Sequence, residues 1–116
     1  MLLIDVSSRS LGVEVKGDLV SVIIKRNTTI PANEKETYST CYNNQRSVNI
    51  VVYEGEGKFV KDCNKLGEFV INGIPPAPAG TPKIVVEFDF DQNGILKVKA
   101  NEEKSGNKGS ITIKNV

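Results

Sequence analysis

Leu11, Val13 and Val15 alternate with Gly12, Glu14 and Lys16, the period-two pattern of a strand with one buried face. Gly17-Asp18 stops the pattern as a turn, and Leu19 to Ile24, apolar except for Ser21, predicts a second strand that closes a hairpin. Asn27 to Lys35 reads as a loop, because Pro31 withholds an amide donor and Asn27 and Asn33 favour turns. Glu36 to Tyr42 reads as a polar strand interrupted by Asn43-Asn44-Gln45. From Ser47 to Glu54 the strand pattern resumes, with Val48, Ile50 and Val52 on one face and Asn49, Val51 and Tyr53 on the other.

Gly55 to Asn64 is a polar connection, and Gly67 to Ile71 a strand with Phe69 and Ile71 on one side. Between Gly73 and Pro82 four prolines fix φ and withhold four amides, so neither a helix nor an inner strand runs through this loop. Lys83 to Phe90 shows the clearest alternation, with Ile84, Val86, Phe88 and Phe90 on one face. Asp91 to Gly94 is a hairpin turn, Leu96, Val98 and Ala100 line the returning strand, and Glu102 to Gly109 is a charged turn before a strand that places Ile111 and Ile113 inward. No stretch predicts an amphipathic helix and no unit repeats at a fixed period. The expectation is one all-β domain, a two-layer antiparallel sandwich of about eight strands whose apolar faces cover each other.

Composition removes several function classes. The 116 residues carry 15 basic and 14 acidic side chains, a net charge of +1, with the lysines spread along the chain. Nucleic-acid binding needs a positive stripe interleaved with aromatic residues, so no nucleic-acid partner is expected. Asp5 ends the apolar run Met1-Leu2-Leu3-Ile4 too early for a signal peptide or a transmembrane span, so no membrane partner is expected either.

The chain lacks histidine, and its two cysteines, Cys41 and Cys63, have no metal-ligand spacing. Neither a catalytic residue nor a metal site is therefore assigned, and two free thiols fit a reducing compartment. The acidic pairs Asp89/Asp91 and Glu102/Glu103 read as ordinary strand-edge and turn charges. Gly55-Glu56-Gly57-Lys58 lacks the glycine spacing and following helix of a phosphate loop. A strand scaffold can still bind peptide, through backbone hydrogen bonds and side-chain pockets.

Several separated motifs carry a resemblance over essentially the whole chain. They include Leu2-Leu3-Ile4-Asp5-Val6, Ser10-Leu11-Gly12-Val13-Glu14, Arg26-Asn27-Thr28-Thr29-Ile30-Pro31 and Asn44-Gln45. Val52-Tyr53-Glu54-Gly55-Glu56, Leu66-Gly67, Gly73-Ile74-Pro75-Pro76-Ala77-Pro78 and Phe88-Asp89-Phe90-Asp91-Gln92-Asn93-Gly94-Ile95-Leu96 continue the series. Together they resemble the 70-kilodalton heat-shock (Hsp70) chaperones of the stress response, specifically the β-sandwich part of their substrate-binding domain.

The resemblance implies residues 1–5 as the end of an interdomain linker and residues 6–116 as a peptide-binding sandwich, without its helical lid. The implied function is binding extended apolar segments of unfolded proteins, under allosteric control by an upstream ATPase domain. This stretch would not be an enzyme and would need no cofactor, whereas the full-length parent would use ATP and Mg. Unfolded client polypeptides, the ATPase domain and J-domain co-chaperones are the implied partners, and the implied location is cytoplasmic, with the nucleus as a second compartment. The apolar leader would also allow self-association.

By the same resemblance Leu11, Val13, Val15, Tyr38, Val48 and Ile50 surround the peptide channel. Val13, Tyr38, Val48 and Ile50 would wall a central pocket for one apolar side chain, although the alternation alone also fits them as sandwich core. Ser39 and Cys41 would lie on a strand beside the peptide, Gln45 near it, and Lys16 and Cys41 would arch over it. Leu2, Leu3, Ile4, Asp5, Arg26 and Pro31 would couple peptide binding to nucleotide state.

The chain departs from the family pattern in three places. Ser7-Ser8-Arg9 stands where threonine, proline and leucine are common, and Ala79 where arginine is frequent. Lys16 replaces a methionine or small residue, which shifts the expected preference near the arch toward acidic or polar flanks. It also supports a rival reading, a regulatory interaction sandwich with a modified groove and weak client binding.

Overall fold

Ile84, Val86, Phe88 and Phe90 are all buried in a computed structural model that describes residues 5–116, and they form the spine of the core. Their strand sits between two others because its inward side chains alternate while its backbone pairs on both edges. Eight strands are present among the described residues: β1 Leu11–Val15, β2 Leu19–Ile24, β3 Ala32–Tyr38, β4 Val48–Glu54, β5 Asn64–Ile71, β6 Ile84–Phe90, β7 Leu96–Glu102 and β8 Lys108–Ile113. They form two four-stranded antiparallel sheets, ordered β2-β1-β4-β5 and β3-β6-β7-β8. The expected all-β, two-layer sandwich is therefore the observed fold.

The inner faces meet through Leu11, Val13, Ile24, Ile50, Val52 and Ile71 from the first sheet and the alternating residues of β6 and β7 from the second. Each such side chain contributes roughly 1.5–3 kcal/mol on burial, before the ordering of the chain is counted. Ile111 and Ile113 are half-buried against this core. Gly12 is needed where the β1–β2 pairing shifts register, because a Cβ there would lie 2.2 Å from the Ser21 carbonyl oxygen.

Two boundaries differ from the sequence expectation. Ala32 to Lys35, expected as loop, belongs to β3, which pairs with β6 from Ala32↔Phe90 to Tyr38↔Ile84. A full-length partner overrides the polar composition there. The strand ends at Tyr38 rather than Tyr42, since the Cys41 amide bonds the Gln45 side chain at 2.9 Å and Thr40 turns to the proline-rich loop. In addition, β5 starts at Asn64, three residues before the expected Gly67, and the preceding connection holds a 3-10 turn at Val60–Asp62.

Glu102 corrects a further expectation. It is 2% exposed rather than an ordinary turn charge, and its carboxylate accepts the Lys104 and Ser105 amides at 2.8 Å each. Burial pushes its carboxyl up, but those amides outweigh it and hold the group below the usual range.

Candidate peptide-binding groove

A large opening lies where the two sheets end together. Val13 of β1 and Ile50 of β4 approach it from one sheet, Tyr38 of β3 and Ile84 of β6 from the other. The groove has a volume of about 790 Å³. Its floor is apolar and well packed, with Val13, Ile50 and Ile84 buried, while Val48 and Tyr38 are half-buried.

Tyr38 fixes one corner. Its hydroxyl lies 2.8 Å from that of Ser21, so β3 and β2 are tied across the sandwich. Burial raises the Tyr38 phenol above its usual value, which keeps it a neutral hydrogen-bonding group.

One lip is the β1–β2 turn, Lys16-Gly17-Asp18, where Gly17 and Asp18 both take left-handed backbone angles of 90° and 58°. The other lip is the segment after β3, and the proline-rich loop holds it in place. Ser39 Oγ donates to the Pro82 carbonyl at 2.5 Å, the Gly80 amide donates to the Thr40 carbonyl at 3.2 Å, and the Asn44 amide donates to the Ala77 carbonyl at 2.8 Å. The Ala79 amide donates to Asn43 Oδ1 at 2.9 Å. Gln45 closes the turn itself, accepting from the Cys41 amide and donating to the Ser47 carbonyl, both at 2.9 Å.

Of the residues expected around a peptide channel, Val13, Val15, Lys16, Tyr38 and Ser39 line this groove, as do Cys41, Gln45, Val48 and Ile50. Leu11 does not line it. It is 1% exposed and packs inside the core, two residues further from the open end of β1 than Val13. Ser39 and Cys41 sit on a loop rather than a strand. Thr40, Ala79, Gly80 and Ile84 also line the groove, and sequence reasoning did not assign them there. The four prolines marked the loop as rigid, but nothing local to it revealed which lip it braces.

Of the residues expected to couple domains, Leu2, Leu3 and Ile4 lie outside the described residues. Asp5, Arg26 and Pro31 gather at the opposite end of the β1–β2 ladder. The Asp5 carbonyl accepts from the Ile30 amide at 2.9 Å, and Val6 bridges Thr29. The Arg26 amide donates to Ser10 Oγ at 3.0 Å. Ser10 in turn gives its amide and hydroxyl to Glu56 at 3.0 and 2.7 Å, and these bonds, with help from Arg26 and Arg9, hold the Glu56 carboxyl below its usual range. The Ser10–Glu56 pairing joins residues 46 apart in the chain and left no signature in the sequence.

Both cysteines are free, Cys41 exposed at the groove and Cys63 half-buried with its thiol against the Gly57 carbonyl. Among the described residues no three His, Cys, Asp or Glu side chains come together to hold a metal ion. A smaller cavity of about 290 Å³ lies between the proline-rich loop and the β7–β8 turn.

A family model described as Hsp70 protein matches residues 1–116. A heat shock 70 kDa protein of Penicillium citrinum is 51% identical over 115 residues, covering 99% of this chain and 23% of that protein. Chaperone protein DnaK of Deinococcus radiodurans and of Thermus thermophilus are each 50% identical over 115 residues, again 99% of this chain, and the matches cover 18% and 19% of those proteins. The chain thus spans about a fifth of the length of these relatives. With its whole length matched by the family model, the chain belongs to the Hsp70 family.

Proposed function

We propose that this chain is the peptide-binding part of an Hsp70 chaperone, and that the groove between the β1–β2 turn and the segment after β3 takes extended apolar segments of unfolded proteins. The observation that carries the reading is an open groove of about 790 Å³ with an apolar floor built from both sheets. Such a site can bury one large side chain while backbone groups hold the extended segment, the combination that strand-type peptide recognition requires. The two-sheet architecture supports the peptide-binding assignment within the family. An open rather than side-chain-filled groove favours it over a regulatory sandwich with weak client binding.

On this reading residues 1–5 end a linker and residues 6–116 form the binding domain. Asp5, Arg26 and Pro31, at the end opposite the groove, face an ATPase domain of the parent protein. ATP with Mg, and J-domain co-chaperones, act on that parent rather than on this domain, which has no catalytic role.

A labelled heptapeptide with central leucine, compared with one carrying central aspartate, tests the reading by fluorescence anisotropy. The leucine peptide is expected to bind at least tenfold more tightly, since burying an apolar side chain is worth roughly 1.5–3 kcal/mol and an unpaired buried carboxylate is costly. Val48→Phe fills the groove floor and weakens the leucine peptide, with the circular dichroism spectrum retained. Equal binding of both peptides, unaltered by Val48→Phe, would sink the proposal.

A further inference from the structure

We propose that Lys16 makes the groove selective for segments with an acidic residue one or two positions from the buried apolar one. The inference rests on the peptide-groove reading and adds the charge of the preferred client.

The groove floor is apolar and has no preference of sign. The lip formed after β3 and by the proline-rich loop is neutral, with Thr40, Cys41, Gln45, Ala79 and Gly80. Charge enters only from the β1–β2 hairpin, through Glu14, Lys16 and Asp18. Glu14 is engaged elsewhere. Its Oε1 accepts from the Tyr53 hydroxyl at 3.3 Å, and Tyr53 alternates with the fully buried Val52, so this bond draws the carboxylate to the outer face of the sheet. Asp18 also lines the groove, from the β2 side of the turn, where its backbone carbonyl accepts from the Val60 amide at 2.9 Å, so Lys16 is the one cation among the residues that line it.

Lys16 follows Val15 directly on the groove side and is exposed. Lys65–Glu68 is the only salt bridge among the described residues, so the Lys16 ammonium has no ion pair to break before it meets a ligand. Its aliphatic stem can cover apolar surface while the head stays in water at the rim. Side chains of an extended segment advance roughly 3.3 Å per residue, so a carboxylate one or two positions away comes within reach of that head. An exposed ion pair of this kind is worth a two- to fivefold change in affinity, roughly, and it weakens with salt.

The test is an anisotropy titration with three heptapeptides that share a central leucine and differ only in its neighbours, which are serine, aspartate or lysine. The natural chain is expected to bind the aspartate-flanked peptide roughly two- to fivefold more tightly than the serine-flanked one, and the lysine-flanked one more weakly. Lys16→Gln brings the aspartate-to-serine ratio close to one, and Lys16→Glu inverts the order. If the natural chain and Lys16→Glu rank the three peptides alike, the inference is overturned while the groove reading stands. If the folded natural chain binds none of them, the groove reading falls and takes the inference with it.

Discussion

Glu102 ends β7 as a buried carboxylate, and two backbone amides are what make its charge tolerable there. Its folded pKa lies below the ordinary glutamate value, so the unfolded chain takes up the proton first as pH falls. The stability it contributes is therefore fully present above about pH 4.3 and is lost as pH falls through the folded pKa. Urea denaturation at about pH 7 and about pH 3 should show a smaller acid-induced loss for Glu102→Gln than for the natural chain. An equal loss in both would remove Glu102 from the account. In the sequence this residue was indistinguishable from its neighbour Glu103, because burial of a turn carboxylate depends on where the proline-rich loop comes to lie. Leu11 was misplaced for a related reason. Period-two alternation tells which face a residue takes but not where along the strand two sheets part, so Leu11 and Val13 looked alike although only Val13 reaches the groove.

β1 and β2 approach so closely at Gly12 that the ladder has no room for a side chain. The register shifts between Leu11 and Gly12 at the same place, so the constraint sits at the base of the hairpin whose far end forms one lip of the groove. Gly12→Ala must push β2 outward against backbone, not against a flexible side chain. A loss of roughly 1–3 kcal/mol in urea denaturation is expected, the usual cost of overpacking. No measurable loss would mean that the strands separate there freely. The strands with strong alternation, β1, β4, β6 and β7, were legible in sequence because one face of each is buried. β3 was legible only in part, since its exposed face and charged centre carry no such signal and its length is set by pairing with β6.

At the scale of the molecule the sandwich has two distinct ends. One is the groove, where both sheets contribute floor residues and the proline-rich loop braces a lip through its carbonyls and amides. The other is the junction of Asp5, Arg26, Ser10 and Glu56, and β1 runs from one to the other. The alternating pattern made the two-layer fold readable, and the family resemblance marked half of the residues that line the groove. Which residues of the loops meet to brace that lip was not readable, because those contacts join segments about 40 residues apart, such as Ser39 with Pro82 and Asn43 with Ala79. The most direct test of the peptide-groove reading is a titration of the natural chain with the central-leucine heptapeptide, followed by methyl and amide NMR shifts. The largest changes should fall on Val13, Val48, Ile50 and Ile84, with Val22 and Val70 on the outer face unmoved. Changes concentrated on that outer face, or on the smaller cavity beside Pro75 and Lys104, would contradict it.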